Sequence, residues 1–135
     1  MATAMAEHPH AQLVRKGYEA FSRGDLDALS GLLAGDCTYH FPGSNPLSGD
    51  YKGRDAILDV LRRFFEETNG TLKADLRHVL VDGRGHAVSL HHSTAERRGK
   101  RVELEGGIVF RIVGDKATDL DECFDDLDAL DDFWS

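Results

Sequence analysis

The sequence predicts a single α+β domain in which helices come first and a sheet of antiparallel strands follows. The 135 residues suffice for one hydrophobic core but not for two. Apolar residues before Gly70 recur at helical spacing, whereas those after Gly70 alternate as they do in strands. Helices that are separate in sequence from an antiparallel sheet are typical of α+β architecture.

Apolar spacing and turn residues place three helices before residue 70. The first runs from Leu13 to Phe21 and ends at Arg23-Gly24-Asp25. Asp25 is a suitable N-cap for a second, short helix with a stripe of leucines, which Gly35 ends. The third helix covers Arg54 to Thr68, with one apolar face, and Asn69-Gly70 closes it.

Five strands complete the predicted element order. The first, Cys37 to Phe41, runs into a loop of about ten residues that starts at Pro42-Gly43. Gly106-Gly107 is a candidate bulge or bend, because long antiparallel strands twist and curve. Turn residues separate the other four strands, which are Thr71 to Val81, His86 to Arg97, Arg101 to Val113 and Lys116 to Phe124.

The charge balance argues against several kinds of partner. Lys and Arg number 16 against 24 Asp and Glu, so the formal net charge is -8. A phosphate backbone or an anionic membrane surface would repel this chain, and we expect neither nucleic acid nor a membrane as partner. No segment approaches the ~20 apolar residues of a membrane span. We expect no signal peptide, because Met1 to Ala11 has no run of apolar residues behind a basic start. We therefore expect a cytoplasmic protein.

Cysteine content and motif searches point away from metals and cofactors. Cys37 and Cys123 are the two cysteines, too few for a disulfide framework or a cysteine-rich zinc site. There is no P-loop, dinucleotide-binding fingerprint, nucleophile elbow or paired-histidine zinc helix. His91 and His92 leave opposite faces of a strand, so they cannot easily chelate one metal. We expect no metal and no cofactor, a disordered tail over residues 1–9 and one domain over residues 10–135.

The last strand contains an acid on a face that is otherwise apolar. Glu122 shares its face with Leu120 and Phe124, whereas Asp121 lies on the opposite face with other aspartates. An acid between apolar neighbours is expensive to bury unless it is paired or protonated. Glu122 is therefore either a functional carboxylate or a sign that this face is partly wet.

Three histidines could join this acid. His78 alternates onto a face with Leu76 and Leu80, and His92 onto a face with Val88 and Leu90. His40 alternates with Tyr39 and Phe41 in the first strand. One such histidine is more often a hydrogen-bonded core residue than a catalyst. Three histidines and a desolvated carboxylate on converging faces would suit acid/base chemistry at neutral pH.

Three stretches of this sequence resemble one known family. They are the helix-breaking turn Gly24–Leu29, the loop and helix start Pro42–Ile57, and the tail Asp128–Trp134. Together they resemble SnoaL-like, ketosteroid-isomerase-related proteins of the nuclear transport factor 2-like superfamily. The resemblance implies a cone-shaped, curved, antiparallel or mixed sheet that encloses, with three N-terminal helices, a pocket for a small apolar molecule. It also implies a homodimer that pairs through the outer face of the sheet.

The catalytic residues of the family carry over only in part. The steroid isomerase positions fall near Gly17, at Phe41 and near Ile108, none of which supplies the required group, and Tyr18 is one residue out of place. The polyketide cyclase branch resembles this chain better, with an acid in the last strand where Glu122 or Asp121 stands. We prefer Glu122 because its face is apolar. The epoxide hydrolase constellation has no match.

These observations leave three hypotheses. The first is an isomerase or cyclase that acts by proton transfer on an apolar or polycyclic molecule, with Glu122 as acid/base assisted by His40 or His92. The second is a non-catalytic ligand-binding protein with the same pocket. The third is a dimerising domain whose interior is filled by its own side chains. The residues predicted to contact a substrate are Tyr18, Tyr39, Phe41, Phe64, His78 and Phe110.

Overall fold

The computed structural model describes residues 7–135 and confirms the α+β class. Residues 1–6 of the predicted tail lie outside the described residues, and the first helix begins with Pro9, a favourable first helical residue. The elements in chain order are α1 (Pro9–Ser22), α2 (Leu26–Ser30), β1 (Leu33–Phe41), β2 (Gly49–Lys52), α3 (Arg54–Glu67), β3 (Lys73–Val81), β4 (His86–Arg97), β5 (Lys100–Val113), β6 (Lys116–Phe124) and α4 (Leu127–Trp134).

All six strands belong to one open, mixed sheet with the order β2-β1-β6-β5-β4-β3. β3 to β6 form an antiparallel meander, and β1 joins its far side by pairing parallel to β6. The helices cover one face of this sheet: α1 packs on β3 and β4, α3 on β1 and β2, and α4 on β5. We call this covered side the inner face and the opposite side the outer face.

The structure contains two elements that the sequence analysis missed. β2 is a four-residue edge strand within the predicted loop. α4 follows the meander, so the three predicted N-terminal helices are joined by a fourth at the C-terminus. The Asp126 side chain caps α4 by accepting a hydrogen bond from the Ala129 N–H, while Phe133 and Trp134 are buried. Asp128 and Asp132 lie on the exposed side of this short amphipathic helix, whereas the half-buried Asp131 accepts hydrogen bonds from the Ser44 N–H and the Asn45 side chain.

A buried arginine holds α4 against the rest of the domain. The Arg97 side chain at the end of β4 is 6% exposed and forms an ion pair with Glu67, at 2.9 Å between Nη2 and Oε1. Its Nη1 donates hydrogen bonds to the carbonyl oxygens of Phe133 and Ser135. Because the guanidinium contacts α3 through Glu67 and the end of α4 through two carbonyl oxygens, Arg97 joins these helices to β4.

Two local features fix which side chains of the meander face inward. A two-residue turn joins β4 to β5, and both of its residues, Arg98 and Gly99, have positive φ, as a type I′ turn requires. In β3, Leu76 pairs with His91 but His78 pairs with Leu90, so the strand contains one extra residue, a β-bulge. A bulge reverses the alternation of all side chains beyond it.

Gly106-Gly107 was a candidate bulge or bend, and the pairing of β4 with β5 runs through it without a register shift. No bulge is therefore present at this pair. A Cβ on Gly107 would lie 1.9 Å from the carbonyl oxygen of Ser89, so only glycine permits this approach of the two strands.

The predicted second helix is shorter than expected. It ends at Ser30, and Leu33 already belongs to β1. No helix among residues 7–135 combines the length and apolar character that crossing a bilayer requires.

Candidate functional site

A cavity of about 160 Å³ lies between the helices and the inner face of the sheet. Its walls come from all four helices and from every strand except β2, and they are almost entirely apolar. The cavity contradicts the hypothesis of an interior filled by its own side chains. Its aromatic lining consists of Tyr18, Phe21, Tyr39, Phe41, Phe64, Phe110, Phe124, Phe133 and Trp134.

Glu122 brings a carboxyl group into this apolar space. β6 directs it inward between Leu120 and Phe124, and its side chain retains 13% exposure where it borders the cavity. The Tyr39 hydroxyl donates a hydrogen bond of 2.5 Å to Oε1. The other oxygen, Oε2, lies 3.8 Å from Nε2 of His91. That separation exceeds hydrogen-bond length. A third atom that lies beside both can therefore be within hydrogen-bond distance of each.

A chain of hydrogen bonds fixes the orientation of His91. Its Nδ1 lies 2.5 Å from the Tyr18 hydroxyl, which lies 2.6 Å from Oγ of Ser89. Ser89 Oγ accepts the backbone N–H of Ile108, so its own proton can be donated to Tyr18. Tyr18 then donates to His91 Nδ1, and the ring proton of a neutral imidazole is assigned to Nε2, which faces Glu122.

Burial drives both members of the Glu122–His91 pair toward their neutral forms. Loss of hydration raises the pKa of Glu122 from 4.5 to about 7, although the hydrogen bond from Tyr39 acts in the opposite direction. The same effect lowers the pKa of His91 to about 4. Burial also raises the pKa of Tyr39 and Tyr18 well above the ordinary tyrosine value. At neutral pH the site therefore contains a neutral imidazole beside a carboxyl group that gains and loses a proton.

The structure brings six of the nine sequence-predicted site residues to the cavity. They are Glu122 together with the predicted contact residues Tyr18, Tyr39, Phe41, Phe64 and Phe110. Asp121, the alternative acid, is exposed on the outer face, which settles the choice of position in favour of Glu122. Although Tyr18 is one residue away from the steroid isomerase position, its hydroxyl reaches His91 and Ser89.

The three predicted histidines lie outside the cavity, which corrects their expected positions. The His40 side chain is 46% exposed and lies 2.6 Å from the Asp50 carboxylate, because Tyr39 and Phe41 take the inward positions of β1. His92 faces outward, where it contacts Glu105 and Glu103. His78 is turned outward by the bulge in β3.

Sequence reasoning missed His91 and Ser89 because the outer face of β4 is the more apolar by composition. The inner positions of β4 are occupied by Ala87, Ser89 and His91, whereas Leu90, on the outer face, is 44% exposed. The turn Arg98-Gly99 was the available signal. Counting from a two-residue turn places Leu104 opposite Ser93, and this pairing puts His91 on the inner face.

Among the described residues 7–135, no group of three or more His, Cys, Asp or Glu side chains is arranged to hold a metal ion. Glu122 and His91 are the two metal-binding side-chain types in the cavity wall, and two ligands fall short of the three or four of a usual protein metal site.

The fold and the site define a class of protein: an α+β domain with an apolar internal cavity that holds one buried carboxyl group. The chain belongs to the SnoaL-like domain family, whose model matches residues 14–120. Solved structures of nuclear transport factor 2-like and ketosteroid-isomerase-like proteins share its fold, so the resemblance noted in the sequence is confirmed.

Several relatives cover nearly the whole chain. An uncharacterised protein of Mycobacterium tuberculosis is 30% identical over 131 residues, which span 97% of this chain and 100% of the relative. Bal32a, from a soil-derived mobile gene cassette, is 42% identical with a TM-score of 0.92, covering 94% of this chain and 97% of its own. A proposed polyketide cyclase from Xanthomonas campestris is 23% identical with a TM-score of 0.72, covering 94% and 97%, and shows the shared fold.

Proposed function

We propose that this protein is a proton-transfer enzyme, an isomerase or cyclase, that acts on a small apolar carbonyl compound with Glu122 as the acid/base. One observation carries the proposal: Glu122 and His91 face each other across 3.8 Å within an otherwise apolar cavity. The resemblance to a proposed polyketide cyclase supports a reaction of this class.

Glu122 would begin the reaction as a carboxylate. It removes a proton from the carbon next to the substrate carbonyl, and the electron pair of that C–H bond moves onto the carbonyl oxygen to form an enolate. In an isomerase, protonated Glu122 then returns the proton to a different carbon. In a cyclase, the enolate carbon attacks a second carbonyl of the same molecule, and the new alkoxide takes the proton. A carboxyl group with a pKa near 7 is suited to both directions of transfer.

His91 would stabilise the charge that develops on the substrate oxygen. A neutral imidazole whose Nε2–H faces the cavity can donate a hydrogen bond to an enolate. The chain from Ser89 through Tyr18 to Nδ1 holds this orientation before substrate arrives. Tyr39 holds Glu122 in the same way, by donating to Oε1 and leaving Oε2 toward His91.

A second function, ligand binding without turnover, is favoured by the cavity wall itself. Apart from the group around Glu122 and His91, the lining is dominated by aromatic and aliphatic side chains that bind by burial alone.

The predicted homodimer stays a prediction, and light scattering at micromolar concentration tests it.

The experiment is α-proton exchange of a probe ketone, cyclohexanone, in D₂O, followed by proton NMR. We expect the wild-type protein to accelerate exchange above the buffer rate and Glu122→Gln to lower the acceleration about 10²–10⁴-fold. Asp121→Asn is the matched control, because it changes the neighbouring acid on the outer face, and it should exchange as the wild type does. Exchange at the buffer rate with wild-type protein, or full activity in Glu122→Gln, would refute the proposal.

A further inference from the structure

We infer that the molecule that enters this cavity is uncharged, of single-ring size, and has its main polar group, a carbonyl or hydroxyl, at one end. The inference rests on the proposed function for the role of Glu122, and on the dimensions and charges of the cavity for everything else. The sequence predicts an apolar or polycyclic substrate, and this inference narrows that prediction to an apolar molecule with a single ring.

Cavity volume sets the size. At about 160 Å³, the cavity is close to an engineered protein cavity of about 150 Å³ that binds benzene. Pockets for drug-sized ligands occupy roughly 300–1,000 Å³. A single six-membered ring with one substituent therefore fits, whereas three or four fused rings would require the walls to move. Phe64, Phe133 and Trp134 set these walls and are buried in the core, where packing resists such movement.

The charges of the wall exclude anions. Among residues 7–135, no lysine or arginine borders the cavity, and the acid in its wall, Glu122, would repel a carboxylate or phosphate. The nearby guanidinium of Arg97 is already bound to Glu67 and to two backbone carbonyl groups. An anion would therefore lose its hydration without gaining a cationic partner.

A cation is also poorly matched. It would have to leave water for a site whose carboxyl group already accepts a hydrogen bond from Tyr39 and is driven by burial toward its neutral form. The desolvation of both charges would oppose their attraction. An uncharged ligand avoids this cost.

The distribution of polar groups sets the shape. Tyr18, Tyr39, His91 and Glu122 are joined to one another through hydrogen bonds or close approach, so most of the hydrogen-bonding groups of the wall are gathered in one region. Ser93 and Thr94 also line the cavity, and the Ser93 hydroxyl already donates to the carbonyl oxygen of Leu104. The remaining lining is mainly hydrocarbon and aromatic rings. A ligand that satisfies both parts has one polar end and one apolar ring.

The test is equilibrium dialysis of wild-type protein with four probes: cyclohex-2-enone, the four-ring ketone androst-4-ene-3,17-dione, benzoate and cyclohexylammonium. We expect the enone to bind at least ten-fold more tightly than each of the others, a difference of about 1.4 kcal/mol. Equal or tighter binding of the four-ring ketone, of benzoate or of cyclohexylammonium would overturn the inference, as would no detectable binding of the enone.

A variant that enlarges the cavity sharpens the test. Phe124→Ala removes a half-buried ring from the wall and should improve the binding of the two-ring ketone 1-tetralone at least about ten-fold. Leu90→Ala removes an exposed side chain from the outer face and should leave tetralone binding unchanged. An equal effect of the two variants would contradict a size limit set by the cavity wall.

The α-proton exchange assay separates this inference from the proposed function. Binding of the enone by a wild-type protein that exchanges no faster than Glu122→Gln would refute the enzyme and leave the ligand class standing. Faster exchange of the four-ring ketone than of the enone would keep the enzyme and refute the ligand class.

Discussion

His91 and His92 are neighbours on one strand, and the two faces of the sheet give them opposite chemistry. The inward His91 side chain is 3% exposed, and burial lowers its pKa to about 4. The outward His92 lies 2.6 Å from Glu105, and its hydrogen bond to Glu105, followed by one to Glu103, raises its pKa. The face to which a side chain turns, more than its residue type, decides the direction in which its pKa shifts.

The two acids of β6 differ in the same way. Asp121 is exposed among other polar groups of the outer face, whereas Glu122 is enclosed by the cavity wall and by Tyr39. Each inner residue thus has a natural control one position away. Substituting the members of each pair separately measures what the inner face contributes.

After Glu122→Gln, the largest effect on α-proton exchange should come from the histidine pair. His91→Leu removes the proposed donor to the substrate oxygen and should lower α-proton exchange about 10²–10³-fold, which corresponds to about 3–4 kcal/mol. His92→Leu should change the rate less than about two-fold, because substitutions remote from the reacting groups have small effects. Equal losses in the two variants, measured by NMR in D₂O on proteins with intact cooperative unfolding, would contradict the role of His91.

The two faces of β5 should differ in how far an alanine substitution lowers the free energy of unfolding. Leu104 is 4% exposed on the inner face, and Leu104→Ala should lower the free energy of unfolding by about 2–5 kcal/mol. Val109, 40% exposed on the outer face, should lose less than about 1 kcal/mol in Val109→Ala. Urea unfolding at pH 7 measures both, and a large loss in Val109→Ala would indicate that the outer face is itself covered.

Glu122→Gln should stabilise the protein at high pH. Because the folded state raises the pKa of Glu122 from 4.5 to about 7, this group favours folding below pH 4.5, and that contribution disappears as pH rises to 7. The gain of Glu122→Gln over the wild type should therefore grow between pH 4.5 and 7 and reach at most about 3 kcal/mol at pH 8. Asp121→Asn should stay within about 0.5 kcal/mol of the wild type throughout. Urea unfolding at pH 4.5 and pH 8 measures this gain, and an equal gain at both pH values would contradict the raised pKa of Glu122.

The smallest effect should come from the helix side of the cavity. Gly17 lies within α1 and lines the cavity, and a Cβ there would meet only Leu32, at an ordinary 3.9 Å. Gly17→Ala should therefore raise the free energy of unfolding by about 1 kcal/mol. Gly107→Ala is the contrasting variant and should destabilise, since its Cβ has no room beside Ser89. If thermal melts show that both substitutions change stability in the same direction, the free space beside Gly17 or the close approach at Gly107 is contradicted.

Strand limits and the position of Glu122 could be predicted because local signals determine them. Turn residues at Asp82-Gly83, Arg98-Gly99 and Gly114-Asp115 bound the meander, and the predicted strands end within two residues of the observed ones. Glu122 alternates with its neighbours in a strand without an internal bulge near it, so its face could be counted directly.

The residues around Glu122 could not be predicted from the alternation of side chains along single strands. The apolar side chains of β4 mark the wrong face, because the cavity wall there uses Ser89 and His91 while Leu90 faces outward. Tyr18 meets them from a helix more than seventy residues earlier, a contact that depends on how α1 crosses the sheet. The bulge in β3 reversed the face of His78 by inserting one residue that no turn signal marks.

The proton affinity of Glu122 is measured most directly by ¹³C NMR titration of its side-chain carboxyl on glutamate-labelled protein, with Glu122→Gln used to assign its resonance. We expect an apparent pKa near 7 for this one carboxyl group. An apparent pKa at the ordinary value for glutamate, about 4.3, would contradict a desolvated acid at the inner face and, with it, the proposed chemistry.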